Sequence, residues 1–291
     1  MIKSCKPFLR SAAAVAAMAA ALGFLPFVPE AKAQAIGLAS HRAVYDLKLA
    51  RARGKRMIES IRGRILYDFS GNACDGYELQ FRQVSEIDSG EGKVVLSDLR
   101  ATTWEDGAAK SFRFNSQNTV NQRVVDTVDG RAERTKNDIA VKLAKPKDKS
   151  FDLEAAMAFP TEHMRRIIEA ARDGKSIVEL PVYDGSESGE KLYSTLTVIG
   201  REIAPDERKH TDAAEGQSAL AGLKRWPVTI SYFDRAAKNK DTDTGEQTPV
   251  YAISFDLYEN GISRALSLDY GDFVVVGDLS QLDIRTAKPC K

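Results

Sequence analysis

The placement of the cysteines limits the fold of this chain more than any other feature of its sequence. Cys74 lies in a turn-like segment in the first third of the chain, and Cys290 is the penultimate residue. A bond between them would close a loop of roughly 217 residues. A fold in which they pair must therefore bring the last residues of the chain beside an early turn.

The N-terminal segment has the features of a secretory signal peptide. Three basic residues precede an alanine-rich apolar stretch, which ends in the A-x-A sequence Ala31-Lys32-Ala33. This order predicts a signal peptide of residues 1–33, cleavage after Ala33 and a mature domain of residues 34–291. The alternative is a retained N-terminal helix, although a glycine and a proline interrupt the apolar stretch.

Cleavage would leave two cysteines, an even number that fits one disulfide in an exported protein. We therefore predict a bond between Cys74 and Cys290, and two free thiols are the alternative. Such a bond would stabilise the fold by about 2–4 kcal/mol, with an upper value of about 5 kcal/mol from chain entropy. A zinc or redox site is not expected, because the sequence has no C-x-x-C pair.

The charge balance argues against a nucleic-acid partner. The full chain has 42 Lys and Arg against 41 Asp and Glu, and residues 1–33 hold four of the basic and one of the acidic residues. The mature domain is left with 38 basic and 40 acidic residues, whereas nucleic acids and anionic lipids attract basic surfaces. We expect no nucleic-acid partner and at most a peripheral contact with a membrane.

Alternation of apolar and polar residues predicts that the mature domain consists mostly of β-strands. Tyr45, Leu47 and Leu49 show the pattern, and similar stretches flank Cys74, which predicts a hairpin with the cysteine in its connection. Further strands are predicted at 94–104, 109–115, 123–128, 139–143, 177–183, 191–203, 226–233, 250–258, 265–270 and 273–276. Turn signals such as Asp129-Gly130 separate them, which favours an all-β, antiparallel barrel-like or sandwich architecture.

One main helix is predicted over residues 161–173. Its apolar residues recur at helical spacing on one face: Met164, Ile167, Ile168 and Ala171. Thr161 is the predicted N-cap, and Gly174 is predicted to end the helix. A short turn over 152–159 precedes it and is stopped by Pro160. The helix lies near the midpoint of the mature domain, so it could separate two β halves or fill an opening between them.

Several segments together resemble one known family. They are HRAVYDLKLA, GRILYDFSGNACDGYELQFRQ, FPTEHMRRIIEAARDG, the strand start Trp226-Pro227-Val228, and YENGISRALSLDYGDFVVVGDLSQLD. Over essentially the whole mature domain the chain is similar to the EipB-type cell-envelope integrity proteins of Gram-negative bacteria. The Cys-Asp-Gly turn with a distant C-terminal cysteine is the most specific part of this resemblance.

The resemblance implies a periplasmic protein folded as an antiparallel β-spiral, in which two curved half-barrels stay open and a helix lies between them. It also implies a disulfide between Cys74 and Cys290 and a role in maintaining the envelope, with no assigned enzyme activity. A periplasmic protein partner of the tetratricopeptide-repeat kind is a further implication.

No residue pattern in the sequence predicts catalysis. G-x-S-x-G is absent, and the single S-x-x-K spacing, Ser188-x-x-Lys191, lies in a predicted hairpin tip without companion motifs. His41, His163 and His210 are too scattered in sequence to predict a zinc site. We interpret His163 as a packed or hydrogen-bonding residue.

A partial calcium-loop pattern, Asp241-x-Asp243-x-Gly245, is interpreted as a solvated acidic loop. The glycine stands one place early, and Ala252 occupies the position where a calcium loop needs glutamate. We therefore predict no metal and no cofactor.

The aromatic residues leave two interpretations open. They would pack a core by default, but an open half-barrel could also present them in a groove that takes a peptide, a lipid tail or a partner helix. Three hypotheses follow, in this order of preference: a non-enzymatic protein that binds an envelope partner, a carrier of a lipid or other hydrophobic ligand, and an enzyme acting on peptidoglycan or lipid.

Overall fold

The computed structural model of the chain describes residues 36–53, 58–90, 92–204, 207, 211–236, 247–286 and 290. Contacts divide the chain into two units, Met1–Ala35 and Ile36–Lys291, and every described residue belongs to the second. The signal peptide, its cleavage after Ala33, His210 and the acidic segment 241–245 lie outside the described residues, and the predictions made for them stay predictions.

The strands of the described residues form one antiparallel sheet. In chain order they are β1 (His41–Ala52), β2 (Ser60–Asn72), β3 (Gly76–Asp88), β4 (Val94–Glu105), β5 (Ser111–Val120), β6 (Arg123–Arg134), β7 (Asp138–Lys145), β8 (Lys149–Glu154), β9 (Ile177–Val182), β10 (Tyr193–Ile199), β11 (Arg225–Asp234), β12 (Tyr251–Tyr258), β13 (Ser263–Asp269) and β14 (Phe273–Ile284). Their order across the sheet is β8 to β1 followed by β14 to β9. The sheet therefore has two edges, β8 and β9, and is open rather than closed.

The first and last strands are adjacent in the middle of this sheet. Strand β1 pairs with β2 on one side and with β14 on the other. Its residues Tyr45 and Leu47 are buried while Lys48 is exposed, because successive side chains of a strand point to opposite faces. The pairing of β1 with β14 joins the two halves of the chain, and it brings the C-terminal segment beside the early hairpin.

Two predicted turns differ from the structure, and the strands predicted at 123–128 and 273–276 are longer, ending at Arg134 and Ile284. The predicted turn at Asp129-Gly130 lies inside β6, where the pairing with β7 shifts by one residue. A Cβ atom on Gly130 would lie 2.5 Å from the Phe114 ring, so the glycine makes room for this ring instead of ending the strand. The turn predicted over 152–159 is also partly wrong, because β8 extends to Glu154 as an edge strand.

The predicted helix is present as α1 (Pro160–Arg172), in the connection between the two edge strands. Its predicted apolar face is buried, with Ile167 and Ile168 both fully enclosed. Gly174 follows the helix with a positive φ of 72°, which confirms the predicted end. No helix in the described part of the chain is long and apolar enough to cross a membrane.

The prediction that Thr161 caps α1 is wrong. Phe159 is the N-cap residue, because Pro160 has a fixed φ that suits the first helical position. The free amides of Thr161 and Glu162 are satisfied from β4 instead, since the Glu105 carboxylate accepts one hydrogen bond from each at 2.7 Å. Glu105, which is distant in sequence, therefore provides the capping hydrogen bonds that were expected from Thr161.

Candidate functional site

The disulfide joins Cys74, in the turn between β2 and β3, to Cys290, which follows β14. The two sulfur atoms are 2.04 Å apart and the two Cα atoms are 5.6 Å apart. His41 of β1 is opposite Ile284 on one side and Phe69 on the other, so the end of β14 lies close to the Cys74 hairpin. The predicted open antiparallel fold with one main helix and one disulfide is therefore confirmed.

The turn that carries Cys74 is fixed on two sides. The side-chain oxygen of Asn72 accepts hydrogen bonds from the amides of Cys74 and Asp75, at 2.8 and 2.9 Å. On the other side, the Ala73 carbonyl lies against Gly107, where an added Cβ atom would approach the carbonyl oxygen to 1.8 Å. Only glycine fits at that contact, so the Cys74 turn packs directly on the turn between β4 and β5.

The end of β14 is also held without the disulfide. The Arg285 amide donates to the Ser40 carbonyl at 2.8 Å, and its guanidinium donates to the carbonyls of His41 and Phe69 at 3.1 and 3.0 Å. The same guanidinium pairs with the carboxylate of Asp68. The disulfide therefore reinforces a junction of β1, β2 and β14 that hydrogen bonds already define.

Helix α1 is attached to the same end of the fold. Arg165 donates a hydrogen bond to the Gly107 carbonyl at 2.7 Å, beside the Glu105 contacts to the helix amides. Burial raises the pKa of Glu105 to about 7, and the amide hydrogen bonds from Thr161 and Glu162 oppose this rise. A titratable carboxyl group therefore holds the start of α1.

Two adjacent cavities lie inside the fold between the sheet and α1. The polar cavity, of about 220 Å³, is lined among others by His41, Thr103, Thr161, His163, Asp184 and Tyr232. The apolar cavity, of about 330 Å³, is lined among others by Ile65, Phe81, Tyr251, Ile253, Leu266 and Leu268. Tyr67, Met164 and Gly261 line both. Volumes of several hundred Å³ are typical of small-molecule sites.

Three tyrosines face these cavities with free hydroxyl groups. Tyr67, Tyr232 and Tyr251 lie deep in the fold, and burial raises the pKa of each. Each nevertheless keeps exposed surface, because its side chain borders a cavity. None of the three hydroxyls has a hydrogen-bond partner among the described residues. Such groups are rare in a protein interior unless water or a ligand reaches them.

The S-x-x-K residues do not form a catalytic pair. Ser188 is exposed in a turn, and the Lys191 ammonium pairs with Asp234 at 2.8 Å and Glu187 at 3.5 Å. The hydrogen bond to Asp234 raises the pKa of Lys191, which keeps it protonated. A catalytic lysine base would need the opposite shift.

The structure brings together two histidines that are far apart in sequence. His41 and His163 line the same polar cavity, and His163 hydrogen-bonds Thr195 at 3.2 Å, as predicted for a hydrogen-bonding residue. Within the described ranges, no group of three or more His, Cys, Asp or Glu side chains is arranged to hold a metal ion.

A larger depression, of about 760 Å³, is less suited to a specific ligand. It is a wide groove lined by charges of both signs, including Glu78, Arg113, Asp129 and Arg131. Arg113 stacks over Trp104 there, 5.1 Å from the ring centre. Its charges are mixed and solvated, so we assign the candidate site to the two interior cavities.

Sequence reasoning missed the central acidic residue of the site. Asp184-Gly185 is a turn signal in the sequence, and the pair does lie outside a strand, directly after β9. The sequence does not reveal that this turn points Asp184 into the polar cavity. Tyr251 was missed for the same reason, because its place beside the apolar cavity depends on how β12 packs against the rest of the fold.

Comparison with known proteins agrees with the fold. Residues 32–286 match the EipB-like family. The chain is 39% identical over 253 residues to "Cell envelope integrity protein EipB" of Brucella abortus, covering 87% of this chain and 86% of that protein. A crystal structure titled as a beta-barrel-like protein of domain of unknown function DUF1849, also from Brucella abortus, covers 87% of this chain with 36% identity and a TM-score of 0.77. Because the family match spans residues 32–286 and a relative of 39% identity covers most of both chains, this chain belongs to the EipB-like family.

Proposed function

We propose that this protein is a non-enzymatic periplasmic protein that supports the integrity of the cell envelope. The observation that carries the proposal is the 39% identity, over 87% of this chain, to a protein named for cell-envelope integrity. The N-terminal segment of residues 1–33, with its basic, apolar and A-x-A regions, supports export to the periplasm. The disulfide supports the same location, because such bonds persist in oxidising compartments.

Support of the envelope would involve a periplasmic protein partner, for which a tetratricopeptide-repeat protein remains our prediction. The open sheet is compatible with such binding, since the edge strand β8 and the first residues of β9 can offer backbone groups to a partner strand. The end of β9 is already bridged to Ala158 at Val182. Ile177, at the start of β9, is 60% exposed and adds apolar surface to that edge.

The test is a gene deletion in the bacterium that carries this protein. We expect the deletion strain to become sensitive to detergent and to antibiotics that act on the cell wall, and the full-length gene to restore resistance. A gene lacking residues 1–33 should not restore it, whereas Ser188→Ala should restore it fully. A deletion strain with normal resistance would contradict the envelope role, and a Ser188→Ala gene that fails would contradict the non-enzymatic role.

A second candidate function, carriage of a hydrophobic ligand, is favoured by the two interior cavities. The apolar cavity is bordered by leucine, isoleucine and aromatic side chains and adjoins a polar one. Native mass spectrometry of the mature protein, purified from its own periplasm, should then show a bound small molecule. A spectrum with only the mass of the polypeptide would contradict this function.

A further inference from the structure

Among the described residues, the polar cavity presents three hydrogen-bond acceptors and no Lys or Arg side chain, while the hydroxyls of Tyr67 and Tyr232 in its lining can donate or accept. His41 is the first of the three acceptors. Its Nδ1 lies 2.8 Å from the Ala39 carbonyl oxygen, which can only accept, so the ring proton is on Nδ1. Burial lowers the pKa of His41, so the ring is neutral and Nε2 keeps a bare lone pair. No described residue donates to that nitrogen.

His163 is the second acceptor. The Thr195 hydroxyl donates its one proton to the Leu180 carbonyl at 2.9 Å, so it must accept a hydrogen bond from His163 Nε2 at 3.2 Å. Burial lowers the pKa of His163 to about 4, which keeps the ring neutral at pH 7. Its Nδ1 is therefore a lone-pair acceptor, and the side chain lines the polar cavity.

Asp184 is the third acceptor and the only carboxylate at the polar cavity. It accepts a hydrogen bond from the Ser186 amide at 2.9 Å and forms no ion pair with any described residue. Burial raises the pKa of Asp184, the hydrogen bonds from Ser186 oppose this rise, and the negative charge of Glu187 adds to it. Asp184 is half-buried, and a carboxylate there without a cation is costly, so this position favours a partner that brings hydrogen-bond donors.

The neighbouring apolar cavity has the opposite character. The two cavities adjoin, because Tyr67, Met164 and Gly261 line both. The lining of the apolar cavity is mostly aliphatic and aromatic, with side chains such as Leu266, Leu268 and Tyr251. Hydrogen-bond acceptors in one cavity and hydrocarbon side chains in the other fit a ligand that is polar at one end and apolar at the other.

We propose that the two cavities bind a single amphiphile, with its hydrocarbon chain in the apolar cavity and a hydrogen-bond-donating head group, an ammonium or a hydroxyl, in the polar cavity. The inference rests on the second candidate function above and assigns the chemistry of its ligand. A carboxylate or phosphate head is disfavoured, because the described lining of the polar cavity includes the acidic Asp184 and no Lys or Arg side chain to offset a second negative charge.

The test compares three amphiphiles of one chain length that differ only in the head group: dodecylamine, monolauroylglycerol and laurate. Each is titrated calorimetrically, below its micelle concentration and at pH 7, into the mature protein with its disulfide intact. We expect dodecylamine and monolauroylglycerol to bind and laurate to bind at least about tenfold more weakly. Equal binding of all three would keep the ligand-carrier function and overturn our head-group inference. No binding of any of them would overturn both.

Two variants locate the binding. Asp184→Asn keeps the oxygen that accepts from Ser186 but removes the charge, so dodecylamine should bind about tenfold more weakly. Asp272→Asn, at an exposed loop position, is the matched control and should bind normally. Ile253→Trp should fill the apolar cavity and weaken the binding of both dodecylamine and monolauroylglycerol. This variant keeps the inference testable if Asp184→Asn does not fold. Equal affinities of Asp184→Asn and Asp272→Asn, or undiminished binding by Ile253→Trp, would overturn the inference.

Discussion

The interior of this protein contains two regions that are built from similar aromatic residues but packed differently. The aromatic cluster consists of Phe112, Phe114, Phe159 and Tyr183, each at most 4% exposed. Its rings are in contact, with Phe112 and Phe159 5.1 Å apart and Phe114 and Tyr183 5.7 Å apart between centres. The two cavities, bordered by Tyr67, Tyr232 and Tyr251, keep open space beside their rings.

The hydroxyl groups show the same difference. Tyr183 donates to the Gly189 carbonyl at 2.7 Å, whereas Tyr67, Tyr232 and Tyr251 have no partner among the described residues. Gly185 also comes so close to Phe114 that a Cβ atom would lie 2.4 Å from the ring. Tight packing and satisfied polar groups mark a region that stabilises the fold, while unsatisfied groups beside space mark a region available for binding.

The largest effect is expected in the aromatic cluster. Phe112→Ala should lower the free energy of unfolding by about 3–5 kcal/mol, because it leaves a cavity among enclosed rings. Ile253→Ala, beside the apolar cavity, is the comparison and should cost less than about 2 kcal/mol, since its side chain already borders open space. Denaturant unfolding of both variants measures the difference. Equal losses would show that the two regions are packed alike.

The disulfide lies outside both regions. Its removal tests whether the aromatic cluster and the two cavities both depend on the link between the C-terminal segment and the Cys74 turn. Cys74→Ser should lower the free energy of unfolding by about 2–4 kcal/mol. Cys290→Ser should give the same loss, and the double variant should add nothing, because the two cysteines act as one unit. Hydrogen exchange should show both regions weakened equally. If reductant left the free energy of unfolding of the mature protein unchanged, the disulfide would not stabilise the fold.

Glu105 tests the helix that connects the two regions, since Phe159 belongs to the cluster and His163 borders the polar cavity. Glu105→Gln should lower the free energy of unfolding by about 1–3 kcal/mol, because one helix amide loses its acceptor. The pKa of Glu105 is about 7 in the fold against 4.5 for an ordinary glutamate. The folded form therefore holds the proton more tightly, and this stabilising contribution is fully present below pH 4.5 and is lost as the pH rises through 7.

The wild-type protein should accordingly gain stability over Glu105→Gln as the pH falls through 7. Unfolding measured at several pH values checks this, with the exposed Glu133→Gln as the control that should show no such trend. A pH-independent difference between wild type and Glu105→Gln would contradict the assigned pKa.

The smallest expected effect compares the loss of a single tyrosine hydroxyl in each of the two regions. Tyr183→Phe should cost about 1–2 kcal/mol, because the Gly189 carbonyl loses its buried donor. Tyr251→Phe removes a hydroxyl without a protein partner and should change stability by less than about 0.5 kcal/mol. Equal costs in thermal or denaturant unfolding would mean that the Tyr251 hydroxyl is bonded in solution.

The sequence predicted most of the strands and the helix, because alternation and helical spacing are local patterns. Its errors lie where a distant residue overrides a local signal. Asp129-Gly130 looks like a turn, but the Phe114 ring needs the space at Gly130 and the strand continues. Thr161 looks like a cap, but Glu105 of β4 takes that function.

The two cysteines, the strand rhythm and the helical face were determined by the sequence alone, since each depends on residue type and spacing. Only the tertiary structure decided that His41, His163 and Asp184 face one cavity. They lie on β1, on α1 and after β9, and no local pattern relates these elements. Their meeting depends on how the open sheet curves around the helix, which is a property of packing across the whole chain.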